Sequence, residues 1–360
     1  MKNKVYFFAQ TRARLEHGEI DKMITYGRIN KMKKLLRIMV MFMSLSGSTY
    51  ADNIFNGTFI DAHSQVGPLI TNEVVSKQLI KNDVDLTLLS IRGKSKTATQ
   101  RYISVNKLSK NKVRYLVPTK LKGFTRKKPS DDVVIKNIKY LKKDAIRNNI
   151  KYVGFGEIIL QHAPHNHKKL KYEGINRDFK SKRISRAINI VLKDNKPVIL
   201  HLELNDYEKD SKKILSQLVE LSKRYPNNNF LLIHMAQAEF SEVEFIINET
   251  KNIHFMTSTA DNATQRKIKK GKAQQGWINL FNKNDNLQKK WVNLMNKNPK
   301  RFVLTLDNVF DVHWLRGYGN KVHLWRKALA SLNKDSAVQI ACGNAKNYFK
   351  LNIKCVKDRK

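Results

Sequence analysis

From residue 57 onward, short apolar runs alternate with longer segments whose apolar positions recur every three or four residues. Eight of the short runs read as strands: GTFIDAH (57–63), VDLTLLSI (84–91), VRYLVP (113–118), KYVGFGEI (151–158), PVILHLEL (197–204), NFLLIHMA (229–236), NIHFMTST (252–259) and RFVLTLD (301–307). Between them the spacing predicts helices over 133–148, 182–195, 210–224, 241–250, 287–297 and 321–332, with a last helix over 335–351. In the first of these, Val134, Ile138, Leu141 and Ile146 fall near one face. Strands that are apolar on both faces, each followed by an amphipathic crossover, imply a parallel sheet covered by helices. Eight such units over about 300 residues fit a single-domain α/β fold, the closed (β/α)8 TIM barrel. An open doubly wound sheet is the alternative. It would carry a Gly-rich phosphate loop after an early strand, and neither GxGxxG nor GxxxxGK occurs. The stretch 260–300 has the least strand character. At a barrel mouth it would be either a lid or a solvated excursion.

Composition changes this picture in two places. The 360 residues include 69 Lys+Arg against 30 Asp+Glu, a formal net charge of +39, and 41% are apolar. That apolar content supplies a packed core and argues against disorder as the main state. The positive charge is spread over the body of the chain instead of gathered in one arm with interleaved aromatics, so it reads as a solvated lysine surface and not as a nucleic-acid site. Such a surface still favours anionic small molecules. The two cysteines, Cys342 and Cys355, exclude a disulfide scaffold and a Cys-rich zinc module, leaving room for one bridge.

The second place is the beginning of the chain. KMKKLLR (31–37), IMVMFMSL (38–45) and SGSTYA (46–51) give a basic segment, a short apolar segment and small residues ahead of Asp52. This predicts a signal peptide over 32–51, translation from Met32 with residues 1–31 as a mis-called extension, and a mature domain over 52–360. The product would be exported, periplasmic or secreted from a bacterium. An uncleaved interfacial helix is the alternative. The apolar run is too short to span a bilayer, and no later segment is long and apolar enough to do so.

The strand ends carry the candidate chemistry. Strand one closes on Asp61-Ala62-His63-Ser64-Gln65, strand four on Glu157, strand five on His201, strand six on His234 and strand eight on Asp307. In a barrel, these ends converge at the mouth. Imidazoles and carboxylates are ligands for first-row divalent ions. Buried together, such groups would need charge compensation, which a cation supplies.

In its order along the chain, this set resembles the amidohydrolase superfamily, specifically the amidohydrolase-related branch of single-domain metal-dependent hydrolases. GWINLFNKNDNLQKKWVNLMNKNPKRFVLTLDNVFDVHW (276–314) is similar to that branch's passage into the strand-eight Asp, and ACGNAKNYFKL (341–351) to its closing helix. The resemblance spans about 55–351 and implies one divalent ion, Zn or Mn, on His63, Glu157, His201, His234 and Asp307. It further implies that Asp307 is the general base and that His201 and His234 are ligands, or that one of them orients the substrate carbonyl. The family's first strand usually ends His-x-His; here the second position is Gln65, at best a weak ligand. Three alternatives therefore stay open: one ion without that subsite, a harder ion that accepts an amide oxygen, or a metal-free centre. The implied activity is hydrolysis of a small-molecule amide, ester or lactone. A decarboxylase of the same superfamily and a non-catalytic binding protein on a degenerate barrel are the alternatives. By position alone, His162, Trp277, Trp314 and Arg316 are candidate substrate contacts.

Overall fold

The computed structural model describes residues 54–92, 95–119, 131–162, 165–167, 170–172, 174–204, 211–263 and 278–358. The expected extension over 1–31 and signal peptide over 32–51 lie outside the described residues, as does Trp277.

All eight expected strands are present: β1 (Ile60–Val66), β2 (Leu86–Ile91), β3 (Val113–Val117), β4 (Tyr152–Phe155), β5 (Val198–His201), β6 (Phe230–Leu232), β7 (Ile253–Met256) and β8 (Phe302–Val303). They pair in parallel as two arcs, β1 to β4 and β5 to β8. Two seams join the arcs. At one, the chain leaves β4 through Gly156-Glu157 and its continuation Ile158–Ile159 pairs with β5 (Leu200 opposite Ile158). At the other, β1 bonds to the extension of β8: Ala62 N–H donates to the Leu304 carbonyl at 3.0 Å, Asp307 N–H to that of His63 at 3.0 Å, and Gln65 N–H to that of Asn308 at 2.8 Å. The sheet is therefore closed on itself.

Among the described residues eight longer helices cover it: α1 (Asn72–Lys81), α2 (Ser95–Leu108), α3 (Asp131–Arg147), α4 (Lys182–Lys193), α5 (Ser211–Arg224), α6 (Phe240–Glu249), α7 (Lys289–Lys297) and α8 (Tyr318–Ala330). α4 shows why these segments are helical. Ser181 caps its first turn by accepting from Ile184 N–H, and Ile184, Ala187, Ile188 and Val191 form the buried stripe. Each fully buried Ile or Leu contributes about 1.5–3 kcal/mol. In α3, Ile138 and Leu141 face inward as expected, joined by Ile135 and Ala145, whereas Ile146, one residue or about 100° beyond Ala145, is exposed.

The C-terminal segment forms the helix expected over 335–351. Its backbone stays right-handed from Lys334 to Phe349, with a wider π turn at Gln339–Gly343, and it ends at the left-handed Lys350. Together with the tail it closes the end of the barrel where the strands begin. Phe349 packs against Leu116 and the inner face of β4, where Gly154 allows the close approach: a Cβ there would crowd the Phe349 ring and Leu116 at 3.1 Å. The tail bonds to the approach of β1, with Thr58 N–H donating to the Val356 carbonyl at 3.0 Å, and Cys342 is bridged to Cys355. Among the described residues, no helix is long and apolar enough to cross a membrane.

Candidate metal centre

The opposite end of the barrel collects the polar groups. His63, Gln65, Glu157, His201, His234 and Asp307 are all buried, and they form one connected cluster. His63 Nδ1 lies 3.0 Å from Asp307 Oδ1. Gln65 Nε2 donates to Glu157 Oε1 at 2.9 Å and to Asp307 Oδ1 at 3.3 Å. His201 Nδ1 lies 2.5 Å from Glu157 Oε2, and His234 Nε2 lies 3.6 Å from Asp307 Oδ2. Ligand atoms of Glu157, His201 and His234 fall within 4.8 Å of one another, as do those of His63, Glu157 and Asp307. The sequence-predicted ligands therefore form two adjoining triads that share Glu157.

Backbone strain shapes the same place. β6 ends at Leu232, earlier than the strand expected over 229–236. The next residues form a left-handed turn, with φ of 57° at His234, 56° at Met235, 55° at Ala236 and 49° at Gln237. Thr259 and Asp307 are also left-handed, at 58° and 43°. None of these is glycine, and each such residue costs on the order of 1–2 kcal/mol. Strain of this kind persists where the surroundings over-determine the geometry, commonly at functional sites. Here it turns His234 so that the Ser258 hydroxyl reaches its Nδ1 at 3.0 Å and the Thr259 hydroxyl at 2.5 Å, leaving Nε2 toward Asp307.

The electrostatics follow from burial and pairing. Burial opposes charge on His201, but Glu157 and Glu203 outweigh it and raise the imidazole to about 9. Asp307 is also resisted by burial, yet the His63 hydrogen bond and the charges of His63 and His234 hold it well below the usual carboxylate range. Burial raises Asp61 to about 6, although Ser64 and the Leu306 and His63 N–H groups donate to it. Asp61 thereby braces β1 against β8, with Leu306 N–H at 2.9 Å.

The residues present fit a divalent cation. When His63 donates its Nδ1–H to Asp307, the lone pair is left on Nε2, and that buried atom has no hydrogen-bond partner among the described residues. Mixed imidazole and carboxylate donors suit zinc or manganese.

Glu203 was not among the expected residues. Its carboxylate is fully buried and sits 2.8 Å from His201 Nε2. The signal was legible in His201-x-Glu203, because residues two apart on an extended segment point the same way. His162 stacks on His201, ring centroids 5.0 Å apart, which places it at the edge of the centre. Trp314 is a correction. It is fully buried, its indole N–H donates to the Gln65 carbonyl at 2.9 Å, and it stacks on Tyr318, so it supports the β1 backbone instead of contacting substrate. Arg316 is exposed on the turn after β8.

No protein-family model and no curated protein matches the chain in sequence. Solved structures do match in shape. An uncharacterized TIM-barrel protein from Bordetella bronchiseptica aligns over 81% of this chain and 98% of its own, with a TM-score of 0.50 and 9% identity. The chain has the TIM-barrel fold. Similar coverage is found for a probable 2-pyrone-4,6-dicarboxylic acid hydrolase from Acinetobacter baumannii with citric acid bound (82% and 100%, TM-score 0.48, 10% identity). It is also found for an amidohydrolase from Burkholderia multivorans with bound zinc (82% and 99%, TM-score 0.47, 11% identity).

Proposed function

We propose that this chain is a metal-dependent hydrolase of the amidohydrolase type, acting on an amide, ester or lactone bond in a small, preferentially anionic molecule. The observation that carries this reading is the buried convergence of His63, Glu157, His201, His234 and Asp307, with the His63 Nε2 lone pair unpartnered. Glu157, His201 and His234 would hold a divalent ion, with His63 beside them. Such an ion supplies an acidified water and polarises the scissile oxygen. The protein's own groups do the rest. His63 and Gln65 hold Asp307 through Oδ1, which leaves Oδ2 to take the water proton and return it to the leaving group. Ser258 and Thr259 hold His234 so that its Nε2 faces that same oxygen. The lysine-rich surface favours approach of an anion.

Elemental analysis of protein purified without chelator, alone and as His201→Ala, tests the reading. One ion per chain in the first and a marked loss in the second is expected, together with chelator-sensitive hydrolysis in an ester, lactone and amide panel. Stoichiometry near zero in both overturns it. A second reading, a metal-free binding centre, is favoured by one observation: the Gln65 carboxamide donates to both Glu157 and Asp307, the role a cation would otherwise fill. The same assay separates the two.

We further propose that the domain over 52–360 is exported after cleavage of 32–51. Support comes from the basic, apolar and small-residue order of 31–51 and from the Cys342–Cys355 bridge, which suits an oxidising compartment. N-terminal sequencing should begin at Asp52; a start well upstream overturns the cleavage site.

A further inference from the structure

His201 is placed between two carboxylates. Its Nδ1 faces Glu157 Oε2 at 2.5 Å, and its Nε2 faces Glu203 Oε1 at 2.8 Å. A second imidazole converges on the same Glu203 oxygen: His162 Nδ1 lies 3.8 Å from it, and the two rings stack at an interplanar angle of 16°. Ligand atoms of His162, His201 and Glu203 all fall within 4.8 Å of one another. Ligands of a tetrahedral zinc ion, with bonds of about 2.0–2.1 Å, lie roughly 3.3 Å apart. The two separations on Glu203 straddle that value.

We propose that His162, His201 and Glu203 form a second seat for a borderline divalent cation, outward of the first and alternative to it. The inference rests on the metal-dependent reading above. Exclusivity follows from imidazole chemistry: a neutral ring has one acceptor nitrogen. A cation on Nδ1, with Glu157 and His234, leaves Nε2–H to donate to Glu203. A cation on Nε2, with Glu203 and His162, leaves Nδ1–H to donate to Glu157. Whichever seat is filled, the other carboxylate orients the shared ring, the outer-shell arrangement that strengthens metal–histidine bonds. The outer seat stands on the strand-five segment and on the short ribbon Gln161–His162, which pairs with Ile175–Asn176 after β4. It therefore lies on the solvent side of the centre, with His162, its side chain 12% exposed, as its most accessible member.

The experiment is equilibrium dialysis with Co²⁺, read by cobalt content and by the visible spectrum. It uses the chelator-treated full chain, His234→Ala, His162→Ala and the double variant, with circular dichroism as a fold check. Expected results are a single ion in the wild type, and a single ion in His234→Ala with an altered spectrum as the cation moves outward. The double variant should bind at least tenfold more weakly than His234→Ala. The inference is overturned if His234→Ala is already cobalt-free while the wild type binds, or if His162→Ala changes nothing in the His234→Ala background. A wild type that binds no cobalt overturns the metal-dependent reading together with this one. If His234→Ala misfolds, His234→Gln replaces it and is read the same way.

Discussion

His201 on β5 and His254 on β7 are both buried imidazoles of one barrel, and their surroundings drive them in opposite directions. At the mouth, two carboxylates overcome burial and raise His201 to about 9. At the floor, burial and the charge of Arg301 push His254 down to about 3. The floor spends its polar groups on structure. His254 lies 2.9 Å from the Asn229 side-chain oxygen and packs at a tilt against Tyr348, and Arg301 donates to the carbonyls of Ile247, Thr250 and Ile253. The mouth instead concentrates charge, left-handed backbone and an unpartnered lone pair. At one end the polar groups are paired within the chain, and at the other they form the donor set on which the proposed cation would sit.

The comparison can be broken at either end, and the largest effect is expected at the mouth. Asp307→Asn should lower kcat on a substrate found in the panel by on the order of 10²- to 10⁴-fold, with cobalt still bound. At the floor, Phe349→Ala should cost about 3–5 kcal/mol in urea unfolding and leave cobalt affinity unchanged. A loss of cobalt affinity in that variant would mean that the two ends are not independent. Removing the bridge that spans 13 positions, with Cys342→Ser and Cys355→Ser together, should cost about 3 kcal/mol. The same loss should appear in wild type under reductant.

The smallest effect is a difference of slope. His254 is depressed in the folded state from 6.5 to about 3, so its contribution to stability is present above pH 6.5 and is lost as pH falls toward 3. His201 is raised from 6.5 to about 9, so in chelator-treated protein its contribution is present below pH 6.5 and is lost as pH rises through 9. Each slope is about 1.4 kcal/mol per pH unit. His254→Gln should flatten only the acid limb of the stability profile, and His201→Gln only the alkaline limb.

Much of this was legible in the sequence, because parallel barrel strands are apolar on both faces and each ends in a side chain at the rim. That pattern located all eight strands and brought His63, Glu157, His201, His234 and Asp307 together. Features set by neighbours in space were not legible. The left-handed run at His234–Gln237 contains no glycine to announce it, so the segment read as strand. Trp314 looked like a rim aromatic, and only the fold shows its N–H turned to the Gln65 carbonyl. α1 and α2 were not singled out. In α1 the inward face is only Val75, Ser76 and Leu79, too sparse a stripe to stand out from its surroundings. Gln65 was legible as a departure, but its bridging of two carboxylates depends on strands four and eight arriving beside it.

The C-terminal plug sets an order of events during biogenesis. Its residues, Cys342 to Val356, follow all eight strands along the chain, yet they cover apolar side chains contributed by every strand from β1 to β8. A nascent chain in which they have not yet emerged leaves that interior wetted from below, however many βα units have docked. Completion of the cylinder therefore waits for the plug to emerge, and a nascent chain halted before Phe349 should remain protease-sensitive along its whole sheet.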